Sequence, residues 1–275
     1  MLKKALIVFK YAVLSLIALI QIYPFIWMLL FSLKDNNEIF SGNVMGFPRE
    51  IHWENYSFAL QDGNTMKYFL NSVIVCSASI VLSLLISLMV AYAVSRMRWK
   101  YGKQLLTFFL LGIMIPGQAI ILPIYITIHM IKIYNTLFSL ILVYTAICLP
   151  TSIFVLSAYM QNLPRELEES SALDGANIYR IFFGIIVPVI KPAIATVVIF
   201  SFLTVWNEFM FAYILIGDSN LMTITVGLFA MQGKYFTNWG PIGAALVIAS
   251  FPTIAIYLAI NKNIQKSLII GAVKG

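Results

Sequence analysis

Residues 71–95 read NSVIVCSASIVLSLLISLMVAYAVS, a run without one Asp, Glu, Lys or Arg that is closed by Arg96, Arg98, Lys100 and Lys103. About 20 predominantly apolar residues are enough for a helix to cross a hydrocarbon core. The run therefore predicts a transmembrane helix with a basic collar at its end. Similar apolar runs occupy 11–33, 105–128, 137–160, 187–214 and 242–260, so six spans are expected. Pro116, Gly117 and Pro123 interrupt the third and Pro150 the fourth, either as bends of a gate or as packing residues.

Composition says the same. Of 275 residues, 61% are hydrophobic and 11% charged, with a mean hydropathy of +0.90. A soluble domain is nearer half apolar and a quarter charged, and a water-soluble globule of this size would expose large apolar patches. Disordered chains are polar and charge-rich, which excludes that class. Two cysteines exclude a disulfide scaffold. Cys76 and Cys148 fall in apolar runs and read as small hydrophobes. There are no heptads, low-complexity tracts or internal repeats.

The net charge of +7 comes without a basic block, so nucleic acid is not the expected partner. It sorts instead against a bilayer. Six spans put both termini on one side. With that side cytoplasmic, Lys3, Lys4, Lys10, Arg96, Arg98, Lys100, Lys103, Arg165, Arg180, Lys191, Lys262, Lys266 and Lys274 lie inside. Lys34, Arg49, Lys67, Lys132 and Lys234 lie outside. This bias predicts N-in and C-in. The first run is too long for the apolar core of a signal peptide and is expected to stay as a span.

The outer segment 34–69 mixes Asp35, Glu38, Glu50, Glu54 and Asp62 with four glycines or prolines, and reads as a small polar cap or a solvated loop. The second outer segment, 217–241, carries Tyr235, Phe236 and Trp239, as interface anchors or as contacts to an outside partner. His52 and His129 have no partner ligands at metal spacing, and no metal site is expected.

The inner segment 161–186 has a helical grammar of its own. Asn162 can cap, Pro164 suits a first turn, and Glu166, Glu168 and Glu169 sit where the helix dipole favours acids. Asp174-Gly175 is a stop, and Asn177 can cap a second helix running through Tyr179 and Phe182 towards Pro188. Helix, tight turn, helix is the expectation. An amphipathic connector resting on headgroups is one reading. Membrane-surface helices are usually basic, however, and this one is acidic, which fits a basic protein partner.

Glu169-Ser170-Ser171-Ala172-Leu173-Asp174-Gly175-Ala176, followed by Ile185, Val187 and Pro188, resembles the EAA loop of ABC importer permeases. Nine residues separate Gly175 from Ile185, as that pattern asks; Ser170, Ser171 and Val187 depart from it conservatively. The likeness extends over nearly the whole chain and is closest to the six-helix partner in the maltose-type carbohydrate group. Tyr23-Pro24-Phe25-Ile26-Trp27-Met28 with Ser32 and Lys34 carries it, as do Asn71-Ser72, Ala91-Tyr92-Ala93 with Arg96, Trp206-Asn207-Glu208-Phe209 and Gly271-Ala272-Val273-Lys274-Gly275.

The resemblance implies an all-α membrane protein, a single transmembrane domain over 1–275 with a cytoplasmic coupling loop at about 161–186. It implies half of a sugar pore, working with a second permease subunit, two ABC ATPase subunits and an extracellular sugar-binding protein in the bacterial cytoplasmic membrane. Glu169 would contact the ATPase, Gly175 would fix the helix angle, Ala172 and Leu173 would be apolar contacts, and Asp174 and Ala176 would complete the turn. ATP and Mg would bind the partners, since this chain has no G-x-x-x-x-G-K-[ST] loop and is not expected to be an enzyme.

Glu208 is the one acid within a predicted span, which makes it a functional candidate. With Asn207 it offers groups for sugar hydroxyls, and Trp206 a face for a pyranose; a hydrogen bond between helices at the permease interface is the competing reading. Rival functions are weaker. An importer of phosphodiesters would want a buried Arg or Lys in its spans, an ion-coupled transporter two related halves, and a membrane enzyme a cluster of catalytic groups.

Overall fold

In a bilayer core backbone N–H and C=O groups must pair within their own segment, so long apolar runs form helices. The computed structural model describes residues 2–97, 99–233 and 237–272, with side chains at 4 and from 6 to 258 within those segments. Arg98, Lys234, Tyr235, Phe236, Val273, Lys274 and Gly275 lie outside the described residues, as do the side chains of Lys3, Lys262 and Lys266.

Chain order runs α1 (Leu2–Phe31), α2 (Asn36–Phe40), α3 (Glu54–Gln61), α4 (Thr65–Ser95) and α5 (Gly102–Met114). A short 3₁₀ turn (Gly117–Ile120) leads to α6 (Ile121–Met130), then α7 (Leu137–Gln161) and α8 (Glu166–Leu173). Next come α9 (Ile178–Ile181), a π turn (Phe182–Ile186), α10 (Val187–Val189) and α11 (Lys191–Trp206). The last are α12 (Met210–Leu215), α13 (Ile224–Ala230) and α14 (Trp239–Ala272). Among the described residues there is no strand. The chain is an all-α membrane protein.

The first, second, fourth and sixth apolar runs are continuous helices long enough to span: α1, α4, α7 and α14. The other two are bent. The third turns by 97° between α5 and the 3₁₀ turn. Pro116 pushes Ile115 out of the helical region, to φ −84° and ψ 117°. Pro123 breaks nothing, because in the first turn of α6 its missing N–H has no intrahelical duty. Pro150 sits inside an uninterrupted α7. His129 lies in the last turn of α6.

The fifth run was expected as one helix over 187–214, and this is corrected. It bends by 74° at Ile190, between Pro188 and Pro192, where Pro192 cannot donate the next helical bond. It then stops at Trp206 and resumes as α12. Asn207, Glu208 and Phe209 are therefore a break in the run and not part of a helix.

The chain forms two units. The first comprises Met1–Lys67 and Gly227–Phe251. Here the outer end of α1 meets α14 through small residues. A Cβ on Gly243 would lie 2.9 Å from Phe31 and 3.0 Å from the Ser32 backbone, and one on Gly240 would overlap the Lys34 carbonyl. Asn55 of α3 donates to the Ser32 and Lys34 carbonyls, at 3.0 and 2.9 Å. Asn36 bonds the Thr237 carbonyl and the Trp239 N–H, both at 2.9 Å. The outer segment is thus a folded cap. Below it, none of the apolar window of α1 is buried within the chain.

The second unit comprises Tyr68–Val226 and Pro252–Gly275. Its axis is α7, half buried, with α5 and α11 packed against it. Gly112 of α5 lies against the Pro150 ring, where a Cβ would come within 2.9 Å of the ring. At the end of α7 that leads to α8, Leu88, Ala91, Tyr92, Leu156, Met160, Ile181, Phe182, Ile186 and Ile190 form one buried cluster. That cluster welds α4 and α7 to the segment following α8.

Candidate coupling loop and mid-span polar cluster

The loop is built by backbone rules. Asn162, expected to cap α8, instead closes α7, its amide donating to the Ala158 carbonyl at 2.8 Å. The residue preceding α8 is Arg165, with no side-chain cap. The first turn of α8 carries Glu166, Glu168 and Glu169, whose charges favour that end of the helix dipole. Ser170 and Ser171 turn their hydroxyls onto the Glu166 and Leu167 carbonyls, at 2.7 and 2.8 Å. Both hydroxyls are spent inside the helix, so the two serines present a surface close to the alanines they replace.

The helix ends in a Schellman turn. Gly175 N–H donates to Ala172 at 3.0 Å and Ala176 N–H to Ser171 at 3.0 Å. Gly175 has φ +79°, and a Cβ there would touch nothing within 4 Å. Glycine is needed for its backbone conformation, not for space. Asn177 then caps α9, accepting from the Arg180 N–H at 2.9 Å.

The site residues divide by exposure. Glu169, Ala172, Leu173, Asp174 and Gly175 face outward, and Leu173 is 89% exposed. Tyr179 and Phe183 of the following segment are exposed beside them in sequence, at 72% and 61%. Ala176 turns inward and packs on the buried cluster.

A residue pair that sequence reasoning missed holds α8 in place. Arg96, read above as part of a basic collar and as one of the residues that carry the resemblance, is buried. Its Nε and a terminal nitrogen donate to Glu168 Oε2, at 2.9 and 2.6 Å. Its other N–H groups reach the carbonyls of Met160 (3.2 Å), Leu163 (2.9 Å) and Pro164 (3.2 Å). The guanidinium fork thus ties the end of α4 to the end of α7 and the first turn of α8. One turn earlier, Tyr92 packs its ring on Phe182 at 5.1 Å. In the structure Leu167, Glu168 and Ser171 form the half-buried side of α8 while Glu166, Glu169 and Ser170 are exposed; nothing in the local sequence separates Glu168 from its acidic neighbours.

Glu208 sits at the break after α11. Its Oε1 accepts from the Phe211 N–H (2.9 Å), and its Oε2 from the Ala212 N–H (3.2 Å) and the Tyr144 hydroxyl (2.5 Å). Its own carbonyl accepts from Thr225 at 2.7 Å. The carboxylate therefore caps α12 and links it to α7, which satisfies backbone donors that a break in a span would leave bare. Trp206 is buried, stacked on Phe202 at 5.5 Å and met edge-on by Phe69 at 5.6 Å. Asn207 is exposed, its amide donating to the Leu203 carbonyl at 2.8 Å. Among the described residues, no group of three or more His, Cys, Asp and Glu side chains is placed to hold a metal ion.

A projecting, glycine-stopped helix between two spans is what a membrane component driven by another subunit needs. Residues 83–270 match the family described as the binding-protein-dependent transport system inner membrane component. The chain belongs to this family. It is a membrane permease and not an enzyme, and the coupling loop lies inside the matched region. An ABC transporter permease protein, ORF2, of Caldicellulosiruptor sp. (strain Rt8B.4) is 38% identical over 94% of this chain and 93% of its own length. The diacetylchitobiose uptake system permease protein NgcG of Streptomyces coelicolor is 33% identical, covering 94% and 86%. The trehalose/maltose transport system permease protein MalG of Thermococcus litoralis is 33% identical, covering 94% of each. Among solved structures, a chain of a bacterial ABC transporter involved in importing the acidic polysaccharide alginate superposes with a TM-score of 0.82, at 20% identity, over 94% of this chain and 96% of that one. It supports the fold.

Proposed function

We propose that this permease forms half of the pore of an ATP-driven importer of oligosaccharides in a bacterial cytoplasmic membrane. It pairs with a second permease, docks one of two cytoplasmic ATPases and receives solute from an extracellular binding protein. The observation that carries the reading is the coupling loop, where a leucine 89% exposed caps an acidic helix whose angle is set by a glycine at φ +79°. An apolar residue that exposed, ringed by acids, fits a partner with an apolar cleft and a basic rim. Glu169 supplies the charge, Ala172 and Leu173 the apolar contact, and Asp174, Gly175 and Ala176 the turn. Sugar as the solute rests on the relatives, which include permeases for diacetylchitobiose, trehalose/maltose and melibiose/raffinose/stachyose. The lysine and arginine bias of the loops supports a cytoplasmic position for 161–186. Asn207 is the exposed member of the substrate-path trio; Trp206 and Glu208 support it from within.

The test is sugar uptake and ATP hydrolysis by the reconstituted importer carrying Glu169→Lys or Leu173→Asp. Both positions are exposed, so the permease still folds and inserts. Solute-stimulated hydrolysis and uptake are expected to fall at least tenfold together. Uptake that persists in these variants, or that runs on an ion gradient without ATPase subunits, overturns the proposal.

A further inference from the structure

Residues 216–223 join α12 to α13 with only a 3₁₀ turn (Ser219–Leu221) of their own, yet side chains from distant parts of the unit hold their backbone. Asn135, at φ +59°, donates its N–H to the Leu215 carbonyl (3.0 Å), and its Oδ1 accepts from the N–H groups of Gly217 and Asp218, both at 2.9 Å. Asp218 caps the turn, accepting from the Asn220 N–H at 2.8 Å. Asn71 of α4 spends both amide hydrogens on the carbonyls of Asn220 and Met222, each at 3.0 Å. Its neighbour Ser72 accepts on Oγ from the Ile224 N–H at 2.7 Å. Thr225, one residue on, donates to the Glu208 carbonyl. Asn71, Ser72, Thr223 and Ile224 are all buried. This strap is thus fixed to α4, to the link before α7 and to the break at 207–209. Every one of these bonds lies inside one unit of one chain, so a neighbouring subunit is not needed to make them.

The helix that holds the strap also holds the coupling loop. Asn71 and Ser72 lie near one end of α4, and Arg96 follows the other, its N–H still bonded to the Tyr92 carbonyl at 2.9 Å. Twenty-five positions separate Asn71 from Arg96, about 38 Å at 1.5 Å per residue, which exceeds the roughly 30 Å of a hydrocarbon core. The two clamps therefore stand at opposite membrane surfaces. Between them α4 is helical without interruption. Sharp kinks in helices are almost always placed by proline, glycine or a π-bulge. Residues 65–95 contain no proline and no glycine, whereas α1, α7 and α14 carry Pro24, Pro150 and Pro252, and the other two apolar runs are bent. The stiffest span is the one with a side-chain clamp at each end.

We propose that α4 is the strut through which α8 and the break at 207–209 move together, with Asn71 and Ser72 as positioning residues at one end and Arg96 at the other. Displacement of α8 reaches α4 through the Arg96 fork, and α4 carries it to the strap and, through Thr225, to the backbone of Glu208 beside the exposed Asn207. The proposal rests on the reading of 161–186 as the coupling loop.

A double-mutant cycle of Asn71→Asp and Arg96→Lys tests it in the complete reconstituted importer. Asn71→Asp keeps the size of the side chain and removes both donors. The readout is sugar taken up per ATP hydrolysed, a ratio that mere loss of folded permease leaves unchanged. Each single variant is expected to lower the ratio at least fivefold, and the double variant to stay within twofold of the worse single. Distant sites without a shared partner act independently, and their effects multiply to within about twofold; a double variant lower than that limit, towards the full product, would overturn the strut. An unchanged ratio in Asn71→Asp would overturn the positioning role, even if hydrogen exchange shows 217–225 loosened. Ser72→Ala removes a single acceptor and serves if Asn71→Asp does not fold; its ratio is expected to fall at least twofold, with exchange quickened at Ile224, and no change in the ratio would overturn the proposal equally. The parent separates the two readings. With ATP-driven uptake in the parent, these failures fall on the strut alone; without it the coupling-loop reading fails, and the strut falls with it.

Discussion

The outer cap and the coupling loop are each organised by one buried cation, and they use it differently. Lys34 gathers the carbonyls of Asn43, Val44 and Gly46 from a single stretch of backbone, three positions apart at most. Arg96 joins separate segments: it follows α4, takes the carbonyls of Met160 in the last turn of α7 and of Leu163 and Pro164 in the link after it, and grips a carboxylate on α8. A compact ammonium suits the first task, since three donors close one turn onto itself. A rigid planar fork suits the second, since it fixes elements relative to one another. The cap is therefore a local fold, whereas the loop is tied to two spans.

Arg96 is the place to break that contrast with the largest effect. Removing one partner of a buried ion pair costs about 3–5 kcal/mol. Arg96→Ala is expected to lower the unfolding midpoint of the detergent-solubilised permease and to abolish uptake. Arg96→Lys sharpens the test, because it keeps the charge and loses the fork. Its uptake is expected to fall at least tenfold, with ATP hydrolysis falling less than uptake, as a loosened tie would give. Equal losses of both would reduce Arg96 to a docking support. Lys34→Met ranks next. It leaves polar backbone groups short of a donor, at about 1–3 kcal/mol. Accelerated hydrogen exchange confined to 34–50, with uptake within twofold of the parent, is the expected outcome. Burial lowers the Lys34 pKa from its ordinary value, opposed by Glu38, so the cage works against desolvation and is not a surplus of binding.

What the sequence made legible follows from range. Apolar length and terminal charge are local, and the spans at α1, α4, α7 and α14 were readable from them. The Gly175 stop and the Asn177 cap are equally local, and both form as expected. Bends were harder. Pro116, Pro123 and Pro150 look alike as letters, but only Pro116 follows a helix it can end; Pro123 enters one in its first turn and Pro150 is held in α7 with Gly112 packed against its ring. The break at 207–209 was hidden because the residues around it are as apolar as a helix would be. It is stabilised by Tyr144, 64 positions away. Arg96 and Glu168 are 72 apart, and no short-range pattern announces such a pair.

The smallest effect belongs to an exposed pair on the cap. His52 Nδ1 lies 2.5 Å from Glu54 Oε1. The hydrogen bond to Glu54 raises the His52 pKa, and the same bond lowers that of Glu54. A raised histidine adds stability that is complete below its unfolded pKa and is lost as pH rises through its folded one. A depressed carboxylate adds stability that is present above its unfolded pKa and is lost as pH falls through its folded one. The pair therefore helps the cap only between those limits, in mildly acidic solution. Glu54 is open to solvent, so salt screens the attraction. Hydrogen exchange at the start of α3 is expected to quicken slightly as pH is raised past the His52 titration, after correction for intrinsic rates. His52→Gln is expected to flatten that dependence, and high salt to shrink it. Lys34 is buried, so the loosening caused by Lys34→Met should not depend on pH or salt over the same titration; if both effects rise and fall together, the cap is one electrostatic network and the local character given to the lysine cage is wrong.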